Sequence, residues 1–591
     1  MSTDAARRFY RQCCERLLAA RQGTGAWRGQ LSPSALATAV ACVALRGLGD
    51  EAGAAAVARG EAWLGQSLLA DGSWGDSPSS QGNLSTTVLA LAALRQSPTP
   101  AAAAAVQRAE AWVGCRAGGC GPEQIAAAIL AHYGEDRTFS VPILTLCAVS
   151  GLLGAGPQAW RVIPQLPYEL AALPRATFGA LGLPVVSYAL PALLAMGLAR
   201  HRCGPRPWLN WRGLFAPAAL RRLARLQPAD GGFLEAVPLT GFVVLSLIAA
   251  GVTEHPVVRR GAAFLLAAQR PDGSWPIDAD LATWVSTLSV GALAEDLPPT
   301  ARPALGGWLL GQQFLTVHPY TGTAPGGWAW TDLPGGVPDA DDTAGALLAL
   351  HRLAPADPAT RAAAQRGLQW LLDLANRDGG IPTFCRGWGR LPFDRSCPDI
   401  TAHVLRAFVH WQPTMPERLQ RRLRAAVVAG LAYLEQAQRP DGSWQPLWFG
   451  NEAAPEQANP VYGSARVLQA LAEVLPAAGV PAGAWVERGL GWLLAAQHQD
   501  GGWGGDREVP PSVEETALAV SALASWPAGR EASARGVEWL LRHQERLDQP
   551  APIGLYFASL WYSEELYPLI FTTEALRRWL AVAPAAGGAA C

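Results

Sequence analysis

The strongest constraint on the fold is a sequence unit that recurs along nearly the whole chain. A complete copy, such as RGAAFLLAAQRPDGSW from Arg260, joins an apolar Gly-aromatic-Leu-Leu segment to Gln, Asp-Gly and Trp. The other copies begin at Arg59, Arg222, Arg366, Ala429, Arg488 and Arg535, and a degenerate copy ends at Trp27. Such a repeat indicates stacked copies of one supersecondary element.

Each unit predicts an amphipathic helix with Asp-Gly at its C-cap and a Trp just beyond. We expect the Gln side chain to hydrogen-bond the terminus of a neighbouring helix while the Trp packs on it. These Gln and Trp contacts would then hold each turn against the next unit.

A second helix family lies between these units and is rich in alanine, with Thr or Ser near its start. Its members include LATWVSTLSVGAL, DADDTAGALLAL, CPDITAHVLRAF, ANPVYGSARVLQAL, SVEETALAVSAL and NLSTTVLALAAL. When they are aligned on that Thr or Ser, successive units place Trp284, Asp341, Asp399, Tyr462 and Glu514 at one position. Small apolar helices that alternate with Trp-bearing ones predict an inner and an outer ring.

The predicted fold is therefore all-α, with two α/α barrels (α6-α6 toroids) built from Gln-x3-Gly-x-Trp repeats. Residues 21–275 are expected to form one barrel, which includes a membrane-facing segment. Residues 1–20 together with 276–591 are expected to form the other, which carries an acidic motif.

The acidic motif, PDADDTA from Pro338, opens an inner helix. An ordinary helix cap is one interpretation, since acidic residues are favourable in a first turn. However, Asp339, Asp341 and Asp342 crowd negative charge, so one of them is expected to hold a proton while the others accept hydrogen bonds. Such a cluster can serve as a general acid. Protonation of an alkene also needs a partner for the conjugate base and a dry cavity.

His403 is the candidate partner. It lies one helical turn after Asp399 in PDITAHVL, on the same face of the next inner helix. A protonated imidazole there would hydrogen-bond Asp341 and raise its acidity. The alternative is a buried histidine that Asp399 alone satisfies.

Together, the Gln-x3-Gly-x-Trp turns and DADDTA resemble the squalene–hopene and oxidosqualene cyclase family of class II terpene cyclases, over nearly the whole chain. The resemblance implies that Asp341 is the proton donor, with Asp339 and Asp342 in its acidic cluster. It implies that His403 and Asp399 polarise this acid. The expected reaction is protonation of a terminal alkene of squalene or a related linear polyprene, followed by polycyclisation to a triterpene-like product, with neither a metal nor a cofactor.

Aromatic side chains are the next candidates, because an aromatic face stabilises a carbocation without acting as a nucleophile. By the resemblance, Trp284 matches a cavity tryptophan, Trp330 stands where a phenylalanine is expected, and Phe384 and Cys385 match a Phe-Cys pair. Further candidates are Trp388, Tyr462, Tyr556, Trp561 and Tyr562. Core packing is the alternative for each aromatic residue.

Two departures from the family pattern leave the product open. Val285 replaces an aspartate that follows the cavity tryptophan in the family. The segment between Gly380 and Phe384 is also shortened, which removes a family tyrosine. The aromatic C-terminal stretch GLYFASLWYSEELYPL does not align cleanly with the family either.

Composition bears on the partners. A formal net charge of −1 makes nucleic acid an unlikely partner, whereas 50% hydrophobic and only 16% charged residues suit contact with lipid. The segment from Pro205, with Trp208, Trp211, Leu214 and Phe215 among arginines, resembles an interfacial helix, although a solvent-facing amphipathic helix is the alternative. The apolar stretch 178–198 is long enough to cross a bilayer, but its prolines favour a buried hairpin.

The N-terminal residues show no signal-peptide core, so we expect a peripheral, monotopic protein on the cytoplasmic side of the membrane. A homodimer is compatible with the sequence.

Three alternative functions stay open at this point. A class II diterpene cyclase would act on a polyprenyl diphosphate and need basic groups and magnesium. A prenyltransferase-like toroid would need zinc. A non-catalytic toroid would only bind partners.

Overall fold

The computed structural model describes residues 3–134, 137–172, 190–205, 210–319, 321–386, 392–556 and 560–583. The first helices are α1 (Thr3–Ala19), α2 (Ala35–Arg46), α3 (Glu51–Gln66), α4 (Leu84–Leu94), α5 (Pro100–Ala117), α6 (Pro122–Tyr133), α7 (Arg137–Val149), α8 (Leu190–Cys203), α9 (Ala216–Leu226), α10 (Val237–Ala249) and α11 (Pro256–Ala267). They are followed by α12 (Ala282–Leu293), α13 (Arg302–Gly311), α14 (Ala340–Leu353), α15 (Pro358–Leu374), α16 (Pro398–Trp411), α17 (Glu417–Gln436), α18 (Pro460–Ala478), α19 (Ala484–Ala495), α20 (Val513–Leu523), α21 (Arg530–Arg542) and α22 (Tyr567–Val582).

Helices α12, α14, α16, α18, α20 and α22 form a closed inner ring, because each packs on the next and α22 returns to α12. Helices α13, α15, α17, α19 and α21 pack outside this ring, and α1 completes the outer layer against α22. We call this unit the acidic barrel. The predicted all-α toroid fold is confirmed.

A second ring, here called the N-terminal barrel, consists of helices α2, α4, α7, α8 and α10 among the described residues. Each packs on the next, and α10 closes on α2, while α3, α5, α6, α9 and α11 lie outside. The boundaries of the two barrels at residues 20 and 275 stay a prediction.

Strands are limited to two short antiparallel pairs within the part of the chain that the structure describes. Strand β1 (Pro33–Ser34) pairs with β2 (Trp275–Pro276), and β3 (Gly554–Tyr556) pairs with β4 (Leu560–Tyr562). A bridge from Phe449 to Gly554 attaches the β3–β4 hairpin to the acidic barrel.

Each motif tryptophan joins an outer helix to an inner one. The Trp444 indole donates Nε1–H to the Leu434 carbonyl at 2.7 Å, and its backbone N–H donates to the Ser464 hydroxyl at 3.0 Å. Trp503 repeats this arrangement with Leu493 and Thr516. The Thr or Ser in each inner helix is therefore the acceptor that holds the preceding turn.

The motif glutamine links consecutive units, as its position in the repeat predicts. Gln438 donates Nε2–H to the Gly442 carbonyl in its own turn and to the Trp485 carbonyl in the next outer helix, both at 2.8 Å. Its amide oxygen accepts a hydrogen bond from Arg488. Because Arg488 belongs to the next unit, the side chains tie each unit to its neighbour.

The prediction that Asp-Gly forms the helix C-cap is wrong. Helix α17 ends at Gln436, and Gly442 lies beyond it in a turn that Asp441 organises by accepting the Ser443 N–H at 3.0 Å. Gly442 has φ +99°, and a Cβ there would lie 2.8 Å from the Arg488 carbonyl oxygen. The turn needs glycine for both its left-handed backbone and this close approach.

Among the described residues, no helix is long and apolar enough to span a membrane. The first part of the apolar stretch 178–198 lies outside the described residues. Its remainder belongs to α8, which packs against α10.

Candidate active site

An open cavity lies at the N-terminal ends of inner helices α12, α14 and α16 of the acidic barrel. Its walls come from those helix starts, from the loops that precede them and from the β3–β4 hairpin. The lining residues are Leu281, Trp284, Trp330, Asp339, Asp341, Asp342, Thr383, Phe384, Ile400, Trp448, Phe449, Leu555, Tyr556 and Tyr562. The predicted acidic cluster thus meets a mainly aromatic wall.

Helix capping aims the central aspartate of the motif. Asp339 is the N-cap of α14, and its carboxylate accepts the Asp342 N–H at 2.8 Å. Asp339 and Asp342 are buried, whereas the Asp341 side chain remains 21% exposed at the cavity. The cap interpretation and the acid interpretation are therefore compatible, since one carboxylate caps the helix and another faces the cavity.

Burial shifts the two flanking carboxyls towards their neutral forms. It raises the pKa of Asp339 to about 7. Burial also raises the pKa of Asp342 well above its usual range, and the charge of Asp339 adds to this shift. The cluster therefore carries protons near neutral pH.

His403 makes the predicted contact with the acid. Its Nδ1 lies 2.6 Å from Asp341 Oδ1, and the imidazole is buried on α16. Burial lowers the pKa of His403, although the Asp341 carboxylate opposes that shift. Burial thus favours the neutral ring, which can still donate to Asp341 through Nδ1–H.

Asp399 has a different partner from the one expected. Its carboxylate accepts a hydrogen bond from the Cys397 thiol at 2.6 Å, and burial raises its pKa to about 6. Among the described residues, no hydrogen bond joins Asp399 to His403, so Asp399 alone does not satisfy the histidine. Asp399 is buried and does not line the cavity, and the charge of Asp341 adds to the rise in its pKa.

Arg466 is a cation beside the acid that sequence reasoning missed. Its side chain is buried on α18, and although burial lowers its pKa, the charges of Tyr462, Asp341 and other acidic neighbours raise it overall. Arg466 follows Ser464 by the same interval that separates His403 from its helix's Thr. The repeat alignment could therefore have identified it.

Five of the predicted aromatic residues lie on the cavity wall, and four of them are Trp284, Trp330, Phe384 and the hairpin residue Tyr562. Trp284 donates Nε1–H to the Tyr567 hydroxyl at 2.9 Å, which fixes its ring plane. Its ring also meets His403 edge-on, with 6.1 Å between ring centroids. The fifth predicted aromatic residue on the wall is Tyr556.

The remaining predicted residues lie elsewhere. Tyr462 is buried behind the wall and stacks on Phe449 with ring centroids 3.8 Å apart. Trp561 is buried, and its backbone N–H donates to Asp76. Cys385 is exposed and does not line the cavity, while Trp388 lies outside the described residues.

Two lining aromatics were not predicted, namely Trp448 and Phe449. Trp448 donates Nε1–H to the Thr383 hydroxyl at 2.8 Å. Both residues lie in the loop between motif Trp444 and the next inner helix, as Trp330 does after Trp328. An aromatic residue in that loop is the signal that would have identified them.

A second cavity lies in the N-terminal barrel. Its described lining is almost entirely apolar, with side chains such as Leu36, Leu89 and Phe242 and no charged group. Tyr556 borders both cavities. The hairpin thus separates an aromatic, acidic cavity from an apolar one.

Comparison with known proteins gives matches across both barrels. Residues 11–147 match the family model of the squalene-hopene cyclase N-terminal domain, and residues 281–551 match that of the C-terminal domain. A terpene cyclase–glycosyl transferase fusion protein from Humicola fuscoatra is 28% identical over 98% of this chain and 50% of its own length. Drimenyl diphosphate synthase from Streptomyces showdoensis is 32% identical over 49% of this chain and 50% of its own length.

The chain spans about half the length of these two relatives. Among solved structures, ent-copalyl diphosphate synthase from Streptomyces platensis is 22% identical and superposes with a TM-score of 0.52, covering 98% of this chain and 99% of that one. This likeness shows a shared fold.

Proposed function

Because the chain belongs to the squalene–hopene cyclase family of class II terpene cyclases, we propose that it protonates a terminal alkene of squalene or a related linear polyprene and drives its cyclisation. The observation that carries this proposal is the Asp341–His403 hydrogen bond at the wall of an aromatic cavity. This contact supports the proposal because a proton donor, a group that can stabilise its conjugate base and aromatic faces that can bind a cation would share one site.

The first step is transfer of a proton from Asp341 to the terminal alkene carbon. The alkene π electrons form the new C–H bond, and the positive charge appears on the neighbouring carbon. The carboxylate left on Asp341 accepts Nδ1–H from His403, and the charge of Arg466 stabilises it further. Burial raises the pKa of Asp342 well above its usual range and so favours its neutral form, which adds no negative charge that would oppose this step.

Ring closure then proceeds against the aromatic wall. The faces of Trp284, Trp330, Phe384 and Trp448 attract a cation, and each such contact contributes about 0.5–2 kcal/mol. Aromatic rings offer no lone pair that would trap the cation early. The wall therefore lets the charge move along the chain.

The apolar second cavity favours a hydrocarbon substrate over a diphosphate. A diphosphate needs cationic or metal-binding groups, and the described lining of neither cavity includes Lys or Arg. Arg28, on a nearby loop, is already paired with Asp280 and Asp332. A polyprenyl diphosphate is the second candidate, because a relative at 32% identity is named drimenyl diphosphate synthase.

Separate incubations with squalene and with geranylgeranyl diphosphate test the proposal, with products identified by mass spectrometry. We expect cyclic products from squalene, and none from an Asp341→Asn control. Turnover of the diphosphate alone would overturn the hydrocarbon proposal. No turnover of any linear polyprene would overturn the cyclase proposal itself.

We also propose peripheral, monotopic contact with the cytoplasmic face of a membrane. Leu214 is 81% exposed and Trp211 is 45% exposed in a short 3-10 turn. This turn packs on a second one that carries the exposed Leu170. Trp208 lies outside the described residues. An exposed Trp and Leu on adjoining turns suit insertion into a lipid interface.

Sedimentation with lipid vesicles tests this contact. Bound protein should resist high salt and be released by detergent, because burial of apolar side chains is not screened by ions. A Trp211→Ser, Leu214→Ser double variant should lose binding, whereas Val428→Ser, at a residue 66% exposed on α17, should keep it. Release of the wild-type protein by salt alone would contradict the proposal.

The homodimer stays a prediction.

A further inference from the structure

Tyr556 stands at the border between the two cavities and is backed by a buried carboxyl group. Its hydroxyl donates to Asp278 Oδ2 at 2.8 Å. Asp278 is fully buried, and its other oxygen accepts the Ala279 N–H at 2.7 Å. The phenol therefore faces the substrate space on one side and a carboxyl on the other.

The backbone holds Asp278 in place. Asp278 forms an isolated β-bridge with Ala236, and the Ala279 N–H donates to the Glu235 carbonyl. The nearby Asp280 is paired with Arg28, whereas no ion pair neutralises Asp278 among the described residues. Burial raises the pKa of Asp278 to about 8. Only the ionised form of Asp278 can take the Tyr556 proton; this form becomes populated as pH rises towards 8, and it is a stronger base than an ordinary aspartate.

Other hydroxyls on the described cavity wall lack such a carboxyl partner. Tyr562 is hydrogen-bonded to Tyr567, which accepts the Trp284 indole N–H. The Thr383 hydroxyl accepts the Trp448 indole N–H. Neither arrangement provides a carboxyl group as proton acceptor, whereas Tyr556 can transfer its proton to Asp278.

Cyclisation needs a proton acceptor away from the acid that starts it. The terminal alkene lies at Asp341, and each ring closure moves the positive charge further along the chain. The carboxylate on Asp341 therefore adjoins the first cation, and the last cation forms elsewhere. A residue at the border of the second cavity is placed to meet that last cation.

We propose that Tyr556, positioned and relieved of its proton by Asp278, deprotonates the final carbocation, so that the main product is a cyclic alkene. This inference rests on the proposed cyclase function. A C–H bond beside the cationic carbon breaks, and its electron pair becomes the new C=C bond. The proton moves to Tyr556 Oη as the phenol's own proton moves to the Asp278 carboxylate.

The proton balance closes over one turnover. Asp341 gives one proton to the substrate and Asp278 receives one from it, so the product is an isomer of the substrate. Exchange with solvent then returns a proton to Asp341 and removes one from Asp278. No oxidant, reductant or co-reactant is required.

Product analysis in H₂¹⁸O tests the inference with Tyr556→Phe, Asp278→Asn and a matched control. The control is Tyr10→Phe, which removes a hydroxyl that donates to Asp296 at 2.5 Å, outside the cavity. Wild-type protein and the control should give the same alkene without ¹⁸O. Both dyad variants should still consume substrate, but their alkene fraction should fall at least about tenfold, in line with the loss of a general base.

In those variants, alcohols that carry ¹⁸O or alkenes with fewer rings should replace the wild-type product. An unchanged alkene fraction in the two dyad variants would overturn the inference, as would a wild-type product that is mainly ¹⁸O-labelled alcohol. If Tyr556→Phe fails to fold in a thermal melt, Asp278→Asn decides, because it keeps the size of the side chain. Absence of wild-type turnover would overturn the cyclase proposal and this inference together.

Discussion

The Asp341→Asn substitution removes the acidic proton of Asp341 without changing the shape of the site. Asparagine keeps the size of the side chain, and its carbonyl oxygen can still accept the His403 Nδ1–H that now reaches Asp341 Oδ1 at 2.6 Å. The amide has no proton acidic enough to attack an alkene. Cyclisation should therefore disappear while the fold survives.

The expected loss of cyclisation rate is larger for the acid, Asp341, than for its partner, His403. Loss of a general acid lowers reaction rates about 10²–10⁴-fold. Because an alkene is not protonated by a weaker acid, the rate loss in Asp341→Asn should be at least about 10⁴-fold. His403→Ala removes one hydrogen bond to a charged oxygen, worth about 1.5–3 kcal/mol, or about 10- to 150-fold in rate. The Asn variant should keep its stability within about 0.5 kcal/mol or gain slightly, since like-charge repulsion in the cluster is relieved.

Product formation from squalene, measured beside thermal melting of each variant, checks both magnitudes. Substrate loss at a normal rate in a folded Asp341→Asn protein would refute the assignment of the acid. A His403→Ala loss as large as that of Asp341→Asn would refute its role as a tuning partner. It would show instead that the imidazole is indispensable to proton transfer.

Four further predictions concern stability. Glu473→Gln should lower the free energy of unfolding by about 3–5 kcal/mol in denaturant titrations, because two guanidinium groups and an imidazole converge on this carboxylate. Burial raises the pKa of Asp278 to about 8, so its contribution to stability is full below the unfolded pKa and is lost as pH rises from that value through about 8. The melting temperature should fall over this interval and level off above it, and the fall should be smaller in Asp278→Asn. In contrast, although burial opposes it, neighbouring arginines lower the pKa of Glu574 to about 2, so its contribution is lost as pH falls from the unfolded value towards 2. Gly442→Ala should cost about 1–3 kcal/mol because of its positive φ, whereas Gly491→Ala, with nothing near its added Cβ, should be neutral or stabilising.

The repeat made the rings predictable because each residue type in it has one fixed partner. A Trp at the turn needs a carbonyl and a hydroxyl, and the Thr or Ser of the inner helix supplies the latter. A Gln needs two carbonyls, which its own turn and the next outer helix supply. Since these contacts span a constant sequence distance, the sequence specifies them without knowledge of the tertiary structure.

The site was less predictable where partners come from distant segments. The Asp278 carboxyl meets Tyr556 across 278 residues, and no local pattern relates the two. Trp448 likewise contacts Thr383 from the loop of another repeat. The lowered pKa of His403 depends on how deeply the ring is buried, which sequence spacing does not reveal. These contacts form only when the inner helices close into a ring, so they can be identified only from the tertiary structure.

The direction of the inner helices also bears on the chemistry. The N-terminal ends of α12, α14 and α16 meet at the cavity, where each helix presents about half a positive elementary charge. This charge stabilises the carboxylate that Asp341 becomes, but it repels a carbocation. The aromatic residues of the loops and hairpin lie between the helix ends and the substrate space, so their negative ring faces can offset the repulsion. An inner-helix start is therefore a favourable place for the acid, and the cation needs the aromatic layer that the repeat does not itself encode.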